Sequence, residues 1–236
     1  MIKKIIKKIK KKFVSSNKEN FEITKKVNEN IFRFNFYKNK GIDFYEVLDI
    51  GAFEGYWTKN FKEIFPASNV LMIEANYDKE EKLQKIGKYK IELLGDEDGK
   101  KIKYFKCQYK GIETGNTIFE ENTKFKFLPE IRFTKKLDTL FPNKSYDLIK
   151  MDVQGSELDI IKGGSLLIRN TKYLLLELQT AEYNKGAPKA EDVISYLKNI
   201  NFQFIDIFDL IYRNGCLIQF DAFFQNNYLN TKKILF

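Results

Sequence analysis

Histidine is absent from all 236 residues. Its absence removes every Ser-His-Asp and Cys-His nucleophile arrangement, every HExxH metal site and every imidazole general base. Chemistry in this chain falls to carboxylates, lysine, tyrosine, hydroxyls, a cofactor or an oxygen-ligated metal. The two cysteines, Cys107 and Cys216, are too few and too far apart for a zinc cluster or a disulfide framework, and they suit a reducing compartment. Only four prolines occur and no long Gly/Ser tract, which argues against disorder or a loosely linked chain. No run approaches the roughly 18–20 apolar residues that span a bilayer. What remains is 43% apolar, 31% charged and 15% aromatic, a globular composition for one large domain or two small ones.

The net charge of +9 is unevenly placed. Residues 1–40 hold 13 Lys/Arg against 3 Asp/Glu, and the rest of the chain holds 28 against 29. The body is therefore neutral, and the basicity belongs to an N-terminal arm. At 100° per residue, Ile2, Ile5, Ile6, Ile9 and Phe13 fall within an arc of about 100°, and lysines fill the remainder. Such a helix matches one lying on an anionic membrane. Docking on the protein's own body or on a second subunit is the plainer alternative. Nucleic acid is not expected, because the body has no matching basic excess. The arm is not a secretory signal, since no apolar segment follows the lysines. The expected location is cytoplasmic, at the inner face of the membrane if the arm binds lipid.

From about residue 45, short apolar runs alternate with amphipathic segments, the pattern of a parallel α/β sheet. Strands are expected at Glu46–Ile50, Asn69–Glu74, Tyr89–Leu94, Tyr146–Met151 and Tyr173–Leu178. Helices are expected at Tyr56–Phe65, Asp78–Ile86, Glu157–Ile168 and Lys189–Asn199. Phe202–Phe208 and Cys216–Phe224 read as a final hairpin through Arg213-Asn214-Gly215. Lys101–Cys107 reads as extended, and 108–136 as a long loop that walls the substrate, with Tyr109, Asn116, Arg132 and Phe133 facing it. The division is an N-terminal arm and helical extension over 1–44 and one domain over 45–236.

The first strand-to-helix turn reads Asp49-Ile-Gly51-Ala52-Phe53-Glu-Gly55, and the next strand ends in Glu74-Ala75. Glycines there let backbone approach a ligand, and an acid 23 residues beyond Gly51 can accept both hydroxyls of a ribose. The glycines are four apart, unlike the dinucleotide fingerprint, and Asp49 at the strand end could face a cationic group. This favours a cofactor without a pyrophosphate, and S-adenosylmethionine fits better than a nicotinamide dinucleotide. Asp49, Gly51, Ala52, Phe53, Gly55, Glu74 and Ala75 are therefore assigned to the cofactor. Asp96, in the turn GDEDG after the third strand, is assigned to its adenine amino group. The fourth strand delivers Asp152 to its carboxyl end, where open α/β sheets bind ligands. Glu157 opens the following helix as a capping residue.

Across residues 47–178 the sequence resembles the FkbM-type methyltransferases. The resemblance rests on VLDIGAFEGYWT (47–58), MIEAN (72–76), LLGDEDG (93–99), KLDTLF (136–141), DLIKMDVQGSELDIIKGG (147–164) and LLLEL (174–178). It departs at Gln154, where the family usually has Glu, and at Phe53, where it often has Asn. The resemblance implies a Rossmann-like class I methyltransferase fold with seven strands, the last antiparallel. It also implies S-adenosylmethionine as donor, S-adenosylhomocysteine as product and O-methylation of a hydroxyl, often on a sugar or natural product.

A sugar hydroxyl is weakly acidic, so a base must take its proton as the new bond forms. Without histidine, Asp152 is the first candidate for that role. Glu177, at the end of the fifth strand, is the second, or else it orients the acceptor. No metal ligand is assigned, although a carboxylate-held divalent ion could replace a strong base. A nicotinamide dehydrogenase would need a helical Tyr-xxx-Lys pair. Of the two matches, Tyr146/Lys150 lies on a strand and Tyr228/Lys232 lies past the expected helices. A base-flipping amino methyltransferase would need an Asp/Asn-Pro-Pro-aromatic loop, and no two prolines are adjacent. The remaining alternative is a non-catalytic scaffold on the same fold, which an intact glycine turn and Glu74 disfavour.

Overall fold

The computed structural model describes residues 23–107, 115–121, 127–182 and 184–229. The lysine arm of residues 1–13, Tyr109 and Lys232 lie outside them. The parallel strands are β2 (Glu46–Ile50), β3 (Asn69–Glu74), β4 (Lys88–Ile91), β7 (Tyr146–Met151) and β8 (Thr171–Gln179). The last two strands, β9 (Phe202–Arg213) and β10 (Cys216–Asn226), form the expected hairpin. Asn214 and Gly215 turn it with φ of 50° and 79°, the left-handed pair that a two-residue hairpin demands. The sheet runs β4-β3-β2-β7-β8-β10-β9, and β10 is antiparallel to its neighbours. This is the seven-stranded order that the resemblance implies.

An eighth strand, β1 (Ile23–Asn28), closes the far edge antiparallel to β9. The expected helical extension is therefore a strand followed by a helix, α1 (Asn30–Asn39). A six-residue edge strand carrying two lysines has too little alternation to be seen in sequence, and lysine on an edge strand blunts further pairing. The expected loop at 108–136 contains β6 (Phe127–Phe133), which pairs antiparallel with β5 (Lys101–Cys107) in a separate ribbon.

Both faces of the sheet are covered. On one lie α5 (Glu157–Gly163), α6 (Ser165–Arg169) and α7 (Ala190–Asn199), whose Ile160, Ile161, Ile168, Val193 and Leu197 pack on Leu48, Ile149, Leu174 and Leu176. On the other, α1 and α2 (Tyr56–Ile64) pack on Val47, Leu148, Leu175 and Phe223. Alternate β8 residues thus serve opposite layers, while every residue of β7 is buried, as a central parallel strand requires. Phe34 of α1 sits at the middle of an aromatic cluster, with ring centroids of Phe44, Trp57, Phe61, Phe65 and Phe208 at 4.9–6.1 Å. Much of the aromatic excess goes into fastening α1 to the sheet.

The helix expected over 157–168 is broken in two at Gly163-Gly164. A Cβ on Gly163 would stand 2.0 Å from the Gly95 carbonyl oxygen, so the end of α5 lies directly against the 95–96 turn. Gly163→Ala should therefore destabilise the protein by about 1–3 kcal/mol, the usual cost of forced overpacking, and lower Tm by several degrees in thermal denaturation. An unchanged Tm would show that the 95–96 turn yields freely.

Candidate active site

The β2–α2 turn and the end of β3 build the first wall. The N–H groups of Gly51 and Ala52 donate to the Ile73 carbonyl at 2.9 and 3.1 Å, locking the turn to β3. Gly51 has a φ of 74°, and a Cβ there would meet the Asp152 carbonyl oxygen at 1.8 Å. Only glycine allows the two strand ends to come this close. Glu74 is buried, and its two carboxylate oxygens each accept one backbone N–H, from Phe53 and from Asn76, both at 2.7 Å. Burial pushes its carboxyl above the ordinary range, and the backbone donors oppose that. The Arg132 guanidinium donates to the Ala75 carbonyl at 2.8 Å and lies over the Tyr77 ring.

These residues bound a first cavity. Its wall includes Gly51, Phe53, Glu74 and Ala75, apolar Leu93, Leu94 and Ile160, and the crossing segment of Asn116 and Thr117. The expected cofactor residues thus divide. Gly51, Phe53, Glu74 and Ala75 line the cavity. Asp49 does not, because it is fully buried beneath the turn, where its Oδ2 accepts from Thr58 Oγ1 at 2.6 Å. Ala52 packs with Met72 and Leu83, and Gly55 takes the left-handed N-cap of α2 against Ile86. Asp96 also lies outside the cavity wall. Its carboxylate turns to the Lys100 ammonium at 3.0 Å, which holds its pKa below the usual value. The turn that follows β4 presents Glu92, Leu93 and Leu94 to the cavity in its place.

The fit to S-adenosylmethionine rests on three features. A buried carboxylate retains lone pairs for a diol, a glycine backbone approaches closely enough that a Cβ would fill the space, and apolar side chains flank a planar slot. Asn116 also lines this cavity, but Phe133 is 60% exposed and lines neither cavity, and Arg132 is engaged with Ala75. Of the described part of the segment expected to wall the substrate, residues 115–118 line this first cavity.

Beyond β7 the chain turns through Asp152-Val153-Gln154-Gly155. Gln154 and Gly155 have φ of 55° and 104°, and this unusual pair is held from three sides. Buried Thr117 and Asn184 both donate to the Gln154 carbonyl at 2.9 Å. Glu157, also buried, accepts from the N–H groups of Val153 and Gly155 at 3.1 and 3.4 Å. It ties back the turn that presents Asp152, which is more than the capping role expected of it. Burial outweighs those bonds and raises its carboxyl to about 7.

The Gln154 amide nitrogen donates to Asp152 Oδ1 at 3.1 Å and to Glu177 Oε2 at 2.6 Å. The two sequence-predicted catalytic acids are thus joined by the residue that departs from the family pattern. A glutamate there would bring a third carboxylate to the pair, whereas the amide supplies a donor. The same N–H stands where a cation between the two acids would need an oxygen. Among the described residues, no three or more Asp, Glu or Cys groups are gathered to hold a metal ion. Burial and the neighbouring Asp152 push the Glu177 carboxyl well above its usual value.

Lys150, nearly buried in β7, places its ammonium 3.3 Å from Asp49 Oδ1 and 3.6 Å from Asp152 Oδ2. Burial works against that charge, but Asp49, Asp152 and further acids outweigh it and keep the lysine protonated.

A second cavity opens on the other side of Asp152. Asn30, Ile31 and Phe34 of α1, Tyr56 and Trp57 of α2, and Asp209 and Asp221 of the final hairpin line it together with Lys150 and Glu177. Among the described residues, Asp152 is the one that lines both cavities. Asp221 accepts from the Asn30 amide at 3.4 Å, and burial with Asp152 and Asp209 nearby raises its carboxyl to about 7. Sequence reasoning did not assign Lys150, Gln154, Asp209 or Asp221. Three carry a signal in hindsight, since a lone charge within an apolar strand (DLIKM, IFDLI, QFDAF) needs a partner or a purpose.

Comparison with known proteins bears on this arrangement. No curated protein sequence matches the chain. Among solved structures, it is similar to an S-adenosylmethionine-dependent methyltransferase from Clostridium acetobutylicum, with 11% identity over 94% of this chain and 99% of that one at a TM-score of 0.49. It is also similar to magnesium protoporphyrin IX methyltransferase from Synechocystis with bound S-adenosylmethionine, with 11% identity over 83% and 77% at 0.48. A third is the N-terminal domain of EvdMO1 in the presence of S-adenosylhomocysteine and D-fucose, with 10% identity over 96% and 98% at 0.46. The family model of the FkbM methyltransferase domain matches residues 49–204, about two-thirds of the chain. With its sheet order and glycine turn, the protein belongs to the FkbM family of S-adenosylmethionine-dependent methyltransferases.

Proposed function

We propose that this enzyme methylates a hydroxyl of a sugar, glycan or related small molecule in the second cavity, with Asp152 as general base. The observation that carries the reading is the position of Asp152, the single side chain common to the two cavities. A base must touch the acceptor's proton while the attacking oxygen points at the donor, and only a residue between the two sites meets both demands.

When bound, S-adenosylmethionine supplies an electrophilic methyl group on a sulfonium. The protein supplies alignment and proton transfer. Glu74, fixed by two backbone donors, holds the ribose hydroxyls, and Gly51 leaves room beside Asp152. Asp152 accepts the acceptor's hydroxyl proton on its carboxylate. The Gln154 amide and the Lys150 ammonium fix that carboxylate and keep it from turning away. Glu177 sits below Asp152 with its pKa raised, so the pair carries one charge more readily than two. Its role is orientation of the acceptor and of Gln154.

The second cavity suits a polyol. Tyr56 and Trp57 offer aromatic surface, and Asp209 and Asp221 offer acceptors for hydroxyl groups. An acidic wall with a single lysine offers a phosphodiester no excess of positive charge, which argues against a nucleic-acid acceptor. The lysine-rich sequence of residues 1–13 supports a cytoplasmic location at the inner face of a membrane. No helix among the described residues is long and apolar enough to cross one.

Asp152→Asn should lower turnover by about 10²–10⁴-fold, the usual worth of a general base, while calorimetry shows S-adenosylmethionine still bound. Turnover near that of the unmodified enzyme would remove Asp152 from the role. Glu74→Ala should weaken cofactor affinity by roughly tenfold or more, as loss of charge-assisted hydrogen bonds predicts, and unchanged affinity would end the ribose assignment.

Glu157 gives a pH prediction. Its folded pKa of about 7 lies above its ordinary value of 4.5, so the stability it contributes is present below the ordinary value and is lost as pH rises through 7. Glu157→Gln should flatten the fall of Tm between acidic and neutral pH, and an unchanged profile would assign that fall to other groups.

A further inference from the structure

The register of the edge strand determines where the basic N-terminal sequence joins the fold. β1 runs antiparallel to β9, with Asn28 opposite Asp209 and Ile23 opposite Arg213. Asp209 lines the second cavity, and β9 runs on from it beyond the carboxyl ends of the parallel strands. Ile23 therefore lies further out on the edge of the sheet where both cavities open. Residues 1–22, with eight lysines against two glutamates, join the chain at that edge rather than on a side or at the back.

The rim of the second cavity has a composition to match. Ile31 and Tyr56 line the cavity yet are 53% and 62% exposed. Beside Ile31, Phe32 is 65% exposed, and Phe36 lies four residues further along the same face of α1. Nothing in the protein's own core requires these side chains outside, since Phe34 and Tyr37 of the same helix are buried. α1 carries Arg33 and Lys38, with Arg33 ion-paired to Glu29 and Asp206, and Lys40 follows it. Exposed aliphatic and aromatic side chains beside a lysine-rich sequence are the composition of an interfacial lipid-binding face. An RNA site would put the positive charge inside the cavity, where this protein has carboxylates.

We propose that this rim docks on an anionic lipid bilayer, with Ile31, Phe32 and Tyr56 at the interface and the lysines of residues 1–22 on the headgroups. The second cavity then opens onto the membrane surface and takes as acceptor the polar head of a membrane-anchored amphiphile. Assignment of that cavity to the acceptor rests on the function proposed above; the docking does not.

The test is co-sedimentation of the full chain with vesicles of phosphatidylcholine, with and without phosphatidylglycerol, alongside calorimetry with S-adenosylhomocysteine. The protein should pellet with the anionic vesicles alone and be released near 1 M salt, where charges are screened within about 3 Å. Phe32→Asp, at an exposed position outside both cavities, should reduce partitioning by roughly tenfold or more while its affinity for S-adenosylhomocysteine is unchanged. Equal pelleting of Phe32→Asp and the unmodified chain would overturn the docking face. So would failure to pellet with anionic vesicles, or binding of an oligonucleotide or a second copy of the chain in their place. Anionic pelleting without S-adenosylhomocysteine binding would instead overturn the enzymatic reading and leave the docking intact.

Discussion

One buried ammonium holds the two halves of the active site together. Lys150 sits on β7 within a few ångströms of Asp49 on β2 and Asp152 beyond β7, and its Nζ also donates to the Gly51 carbonyl at 3.4 Å. Removing one member of a buried ion pair typically costs about 3–5 kcal/mol, because the partner left behind is a desolvated charge. Here the lysine has partners on both strands, so the glycine turn and the Asp152 turn are not independent. Each is positioned by a charge that the other also needs. The backbone contact between Gly51 and Asp152 adds a steric constraint to the same junction. Asp49, read from the sequence as a ligand for the cofactor, turns out to be the counter-ion that makes this junction affordable.

The two cavities beside it are built differently. The first is local: backbone donors on Glu74, a glycine without room for a methyl group, and a short segment around Thr117. The second is assembled from distant parts of the chain. α1 contributes apolar surface and the Asn30 amide, and the final hairpin contributes Asp209 and Asp221. Asp209 Oδ1 in turn accepts the Glu29 N–H at 2.8 Å, so the entry to α1 is tied to the wall that it completes. The extension is thus part of the second cavity's wall, fastened by Phe34.

Legibility in the sequence followed the strength of local signals. The central strands were plain because parallel strands buried on both faces are continuous apolar runs, and Arg213-Asn214-Gly215 was plain because a tight hairpin needs left-handed residues. Gly51 and Glu74 line the first cavity, Glu177 the second and Asp152 both, because each ends a strand or occupies the turn after one. The rest depended on tertiary partners. β1 exists because β9 offers its outer edge, and β6 exists because β5 offers another. Asp96 was misplaced because a turn acid is drawn to whichever cation is near, here Lys100, and spacing does not reveal that. The meaning of Gln154 was hidden for a related reason. Its departure from the family pattern looked like a loss until the geometry put its amide between two carboxylates.

The wall of the second cavity is only partly inside the family match. Residues 49–204 carry the glycine turn, Glu74, Asp152, Gln154 and Glu177. Asn30, Ile31 and Phe34 precede that span, and Asp209, Ile211 and Asp221 follow it. The second cavity is thus built jointly by the family domain and its flanks, so a change in either flank would reshape the cavity's mouth while leaving the glycine turn and the Asp152 turn in place.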